Sequence, residues 1–104
     1  MTIQVNTDNN ILGEERLLAY VNATIADELA RVSDHITRIE VHISDENGSK
    51  TGQNDKRCML EARLKNRQPI AVTSHESTVE KSVGEALDKL KTSIETIYSQ
   101  LSDH

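Results

Sequence analysis

Two stretches in the middle of the chain alternate apolar and polar residues without a break, and this pattern limits what can be built around them. In residues 36–44, ITRIEVHIS, the side chains of Ile39, Val41 and Ile43 fall on one side and those of Arg38, Glu40 and His42 on the other. In residues 57–65, Cys58, Leu60, Ala62 and Leu64 fall on one side and Met59, Glu61, Arg63 and Lys65 on the other. A period of two sends successive side chains to opposite faces of a sheet, so each stretch reads as a strand with one buried face. Residues 45–56 between them include no Val, Ile, Leu or Met and contain Asn47-Gly48 and Thr51-Gly52, the composition of a long, mobile hairpin loop.

A sheet with one apolar face needs a cover, and two segments supply it. From about Gly13 to Val32, the residues Leu17, Leu18, Val21, Ile25, Leu29 and Val32 recur at steps of three and four, the stripe of an amphipathic helix. Glu14 and Glu15 fall in its first turn, where the helix dipole favours acids. From about Thr78 to Leu101 a second stripe runs through Val79, Val83, Ala86, Leu87, Leu90, Ile94, Ile97, Tyr98 and Leu101. Ser77 followed by Glu80 predicts a capping box at its start. Residues 2–6 predict a first short strand with Ile3 and Val5 on one face. Residues 68–74 predict a fourth strand after a turn at Asn66-Arg67, with Pro69 at its start or on an edge, where a missing donor does no harm.

The resulting order is β-α-β-β-β-α, an α+β domain. A right-handed crossover makes strands one and two parallel neighbours. The remaining strands form an antiparallel meander, giving a sheet in the order 1-2-3-4 with both helices on one face. The other face is polar and is left to solvent or a partner. The core must be aliphatic, because the chain has no Phe, no Trp, and Tyr only at positions 20 and 98. Tyr98 is expected at the margin of the core, with its hydroxyl at the edge.

Charge and cysteine content narrow the function classes. The single cysteine, Cys58, has no partner within the chain, which suits a reducing compartment. The N-terminus lacks a basic, apolar leader, and no stretch approaches the roughly 20 apolar residues that span a membrane. The expectation is a cytoplasmic protein without a membrane partner. The net charge of −5 argues against indiscriminate nucleic-acid affinity. The middle, residues 35–75, nonetheless carries seven Lys or Arg against five acids, between two acidic flanks.

At this point a resemblance emerges. IQVNTDNN leading into EERLLAYV, then ITRIEVHIS, then VGEALDKLKTSI with its Asp88-Lys89-Leu90 step, are similar to the ribosome hibernation-promoting factor and protein Y family of ribosome-associated inhibitors and sigma-54 modulation proteins. The similarity runs along nearly the whole chain. It implies a single hibernation-factor-like domain over residues 1–104. It also implies a translation inhibitor that binds the decoding region of the small ribosomal subunit during stress or stationary phase, in competition with messenger and transfer RNA. Family helices are rich in Lys and Arg. Here Thr24 and Asp27 stand where lysines are common, Glu80 where an aromatic is common and Thr92 where a basic residue is common, while Lys89 is retained with Lys91 close by.

The candidate RNA-binding residues are therefore Lys50, Lys56, Arg57, Arg63, Lys65 and Arg67 from the basic middle, with Lys89 and Lys91 from the last helix. Their functional reading is a phosphate-contacting patch, since neutralising phosphates releases condensed counterions. Their bland reading is an ordinary solvated face of mixed charge. The outward strand positions hold no aromatic, so contact would be to backbone and shape. The alternative to ribosome binding is an acidic protein-interaction module of the same fold, holding a basic protein partner or a second copy.

Catalysis finds no support in the residues. His35, His42, His75 and His104 lack metal-ligand spacing with one another or with Cys58. Cys58 lies in the inward register with no evident base. Gly13, Gly48, Gly52 and Gly84 are scattered, so there is no phosphate-cradling loop, and nothing pairs two carboxylates for acid–base work. No cofactor, metal or small-molecule substrate is expected.

Overall fold

The computed structural model describes residues 1–8, 11, 14–46 and 54–102. Its elements run β1 (Thr2–Thr7), α1 (Glu14–Glu28), a 3-10 helix (Ala30–His35), β2 (Ile36–Asp45), β3 (Lys56–Leu64), β4 (Ile70–Glu76) and α2 (Val79–Ser102). The strands form one sheet in the order β1-β2-β3-β4. β1 is parallel to β2, and the other two pairings are antiparallel. This is the α+β arrangement expected from the alternating strands and the two helical stripes.

The inward register also follows the alternation. Val41 pairs with Leu60, and Leu60 with Val72 on the far side. Val21, Ile25 and Leu29 from the first helical segment join Val83, Leu87, Leu90 and Ile94 from α2 over these residues, all buried in one cluster. Each fully buried aliphatic side chain contributes about 1.5–3 kcal/mol. Tyr98 packs half-buried at the margin of this core. No helix among the described residues is long and apolar enough to cross a membrane.

Four local features depart from the periodicity. The stripe through Val32 predicts α-helix to that residue, but α1 ends at Glu28 and the chain tightens into the 3-10 helix. The Val32 amide bonds the Leu29 carbonyl at 3.1 Å, which keeps Val32 buried while turning the chain towards β2. In β2 the register shifts between Ile36 and Arg38. Thr37 donates its hydroxyl to the Arg63 carbonyl at 3.0 Å, and the bulge lets Ile36 face inward with Ile39 despite their odd spacing.

The hairpin loop is shorter than residues 45–56, because Asp45 and Lys56 are ladder partners. The expected mobile stretch at 47–53 lies outside the described residues. At the start of α2 the cap is Thr78, whose Oγ1 accepts the Lys81 amide at 3.1 Å, one residue on from the expected Ser77–Glu80 box. Pro69 sits just ahead of β4, and Asn66 takes a positive φ of 60° in the β3–β4 turn, a conformation Asn tolerates.

Candidate nucleic-acid interface

The sheet pairing separates the candidate cations before any side chain is considered. Arg57 and Arg63 share a parity with Met59 and Glu61, which puts them on the face away from the helices. Lys56 has the opposite parity, with Cys58 and Leu60, and stands at the hairpin end of the helix-covered side. Lys65 and Arg67 fall in the β3–β4 turn at the other end. Lys89 and Lys91 project from α2 in different directions. Lys50 lies outside the described residues.

Most of these cations already have acidic partners. Lys56 Nζ lies 2.8 Å from Asp55 Oδ1 and 3.5 Å from Asp45 Oδ2, and both aspartates are nearly buried. Arg63 lies 3.4 Å from Glu40 and 3.5 Å from Glu61, and Glu40 also takes Arg38 at 3.6 Å. Arg57 Nε is 3.9 Å from Glu46, which also meets His75 Nε2 at 3.0 Å. Lys89 Nζ donates to the Thr73 carbonyl at 2.9 Å and sits 3.5 Å from Glu85. Lys91 Nζ joins Glu28 at 3.3 Å and so ties α2 to α1. The open sheet face thus carries ion pairs within and between strands that neutralise its arginines.

Lys65 and Arg67 differ. Both are exposed, and among the described residues neither has a carboxylate within ion-pair distance. The Lys65 amide bonds the His35 carbonyl at 3.0 Å, which fixes the turn against the end of the 3-10 helix. The His35 and Tyr98 rings stack with centroids 3.7 Å apart and planes within 16°. The guanidinium carbon of Arg67 lies 5.8 Å from the Tyr98 ring centroid, within cation–π range. Residues from the 3-10 helix, the β3–β4 turn and α2 therefore converge at one end of the sheet. The alternation pattern had no means of showing this, because His35 and Tyr98 are far apart in the chain and neither lies on a strand. Their only sequence signal is that both stand near the ends of elements that terminate together.

Cys58 is fully buried, and burial pushes its thiol up to about 12, leaving it without nucleophilic character at neutral pH. Among the described residues no group of His, Cys, Asp and Glu could hold a metal ion. Glu76 and Glu85 lie close enough to shift one another, Glu76 above and Glu85 below the ordinary 4.5. They meet only because α2 docks beside β4. Lys89, which bonds both Glu85 and the Thr73 carbonyl, makes this pair part of the seam between those elements.

The Asp55–Lys56 contact sets a pH dependence of stability. Their hydrogen bond holds Asp55 below its ordinary 3.8 and Lys56 above its ordinary 10.5, although burial opposes both shifts. The aspartate's contribution is complete above its unfolded value and is lost as pH falls through the lower folded one. The lysine's contribution is complete below its unfolded value and is lost as pH rises through the higher folded one. Asp55→Asn is therefore expected to flatten the fall in urea midpoint below about pH 4. An acid limb of unchanged slope would show that the pair does not act this way.

Comparison with known proteins agrees with the architecture. A family model described as sigma 54 modulation protein / S30EA ribosomal protein matches residues 3–102. The crystal structure of the Protein Y N-terminal domain from Thermus thermophilus aligns with a TM-score of 0.74 at 18% identity, covering 93% of this chain and 99% of that one. A ribosomal subunit interface protein from Coxiella burnetii aligns with a TM-score of 0.72 at 17% identity, covering 95% and 99%. At these identities the structural likeness is one of fold. No curated protein matches the chain in sequence. The family match spans β1 to the end of α2, and the chain belongs to the sigma 54 modulation protein / S30EA ribosomal protein family.

Proposed function

We propose that this protein is a ribosome-associated translation inhibitor, a single hibernation-factor-like domain that acts by binding and not by catalysis. It occupies the decoding region of the small subunit, competes there with messenger and transfer RNA, and keeps the ribosome idle under stress or in stationary phase. The observation that carries this reading is family membership along residues 3–102. It is supported by a shared fold with a protein named for the ribosomal subunit interface. Contact runs to the ribosomal RNA backbone, and the cytoplasm, where ribosomes work, is its setting. Lys65 and Arg67 are the best-placed phosphate ligands, because they approach RNA without first giving up an acidic partner.

Co-sedimentation tests the proposal. Purified protein is expected to travel with small subunits at low salt and to be released steeply as salt rises, since each phosphate contact displaces condensed counterions. Failure to co-sediment at low salt, while a family member with lysine-rich helices does so, would overturn it.

A second reading has one specific observation in its favour. Lys56, Arg57, Arg63, Lys89 and Lys91, five of the eight candidate cations, are held in internal ion pairs on a molecule of net negative charge. The protein would then be an acidic interaction module of the same fold, binding a basic protein partner or a second copy. That reading predicts no small-subunit binding at any salt concentration.

A further inference from the structure

The end of the sheet described above has a chemistry that the open sheet face lacks. It places an exposed histidine, stacked on Tyr98, beside two cations that have no acidic partner among the described residues. A stack serving only to tie the 3-10 helix to α2 would bury both rings, yet His35 is exposed and one ring face is turned away from Tyr98. Beside Arg67 lies an open groove of about 830 Å³. The amides of Asn66 and Gln68 line it, and each can both donate and accept a hydrogen bond. Ile70 and Ile97 give it an apolar floor.

We propose that this end of the domain is a binding site for single-stranded RNA. A base stacks on the outer face of His35, neighbouring phosphates lie against Lys65 and Arg67, and the next nucleotide enters the groove along Asn66 and Gln68. Unpaired bases are what such a site can take, because a base within a duplex has no free face to offer. Base–aromatic stacking combined with a cationic track is the general means of holding single strands. The site deepens the ribosome reading by naming where, and on what form of RNA, contact is made; it does not depend on the decoding region being the target.

Tyrosine fluorescence tests the site, because the chain has no Trp and only two Tyr. In a Tyr20→Phe variant, Tyr98 is the sole emitter. Adding an eight-residue oligouridylate at low salt is expected to quench Tyr98 saturably, and rising salt to reverse it. His35→Ala is expected to weaken binding roughly 5- to 100-fold. His35→Phe, which keeps an aromatic plane, is expected to retain binding, and this separates loss of stacking from loss of fold. No quenching, equal weakening by His35→Phe, or equal affinity for an RNA duplex would overturn the site.

Small-subunit co-sedimentation of the same proteins keeps the two proposals apart. Sedimentation with subunits but no oligonucleotide binding removes this site and leaves the ribosome reading. Oligonucleotide binding without sedimentation does the reverse.

Discussion

Replacing Lys65 and Arg67 together with glutamate is expected to lower affinity for small subunits roughly 100-fold or more at low salt, since each lost charge-assisted contact is worth about 1.5–3 kcal/mol. Neutral replacements are the more diagnostic pair. Lys65→Gln with Arg67→Gln should reduce the slope of log affinity against log salt by about 1.4, the value for two single-strand phosphate contacts. The effect should fall mainly on binding. Both side chains are exposed in a turn and have no carboxylate partner among the described residues, so stability should fall by no more than the roughly 0.5–1 kcal/mol of the contact between Arg67 and the Tyr98 ring. Arg57→Gln and Arg63→Gln provide the contrast. Each cation is already beside a glutamate, so its removal should change affinity less than tenfold, by roughly 1 kcal/mol. If the sheet-face variants abolished binding and the turn variants did not, the contact would have to be moved to the open face.

The largest effect on folding should come from Leu60→Ala. Leu60 is fully buried on the central strand β3, between Val41 and Val72. Truncation removes its transfer energy and leaves a cavity that the surrounding sheet cannot close, at a cost of about 2–5 kcal/mol. Against a total stability of roughly 5–15 kcal/mol, this is a large share of the margin that keeps the domain folded. The core has no Phe or Trp to expand into the gap, so a loss below 1 kcal/mol would mean that the aliphatic packing is looser than described. The measurement is the urea midpoint at constant slope.

Charge distribution explains why the acidic balance of the chain does not by itself decide its partners. A net charge of −5 acts over about one Debye length, roughly 8 Å at physiological salt. The RNA contacts proposed at Lys65 and Arg67 lie within that distance. Several of the acids serve the fold. Glu40, Glu61 and Glu46 neutralise arginines on the open face, Asp45 and Asp55 hold Lys56 where the hairpin begins, and Glu28 joins the helices through Lys91.

Alternation in residues 36–44 and 57–65 and the two helical stripes were enough to determine the element order, the strand neighbours and most of the core. Those patterns are local: parity decides which face a strand residue takes, and a three-to-four spacing decides which side of a helix is buried. Where local rules met global closure they slipped, at the 3-10 helix after Glu28, at the bulge that turns Ile36 inward, and at the Thr78 cap. The basic cluster was legible as composition, but its meaning was not. Lys56, Arg57, Arg63, Lys65 and Arg67 are neighbours in the chain, yet pairing sends them to two faces and two ends of the sheet. Only the fold showed which of them keep their charge free. Only the fold, too, brought His35 from the 3-10 helix against Tyr98 from α2, because residues that distant meet through the closing of the core and through nothing written between them.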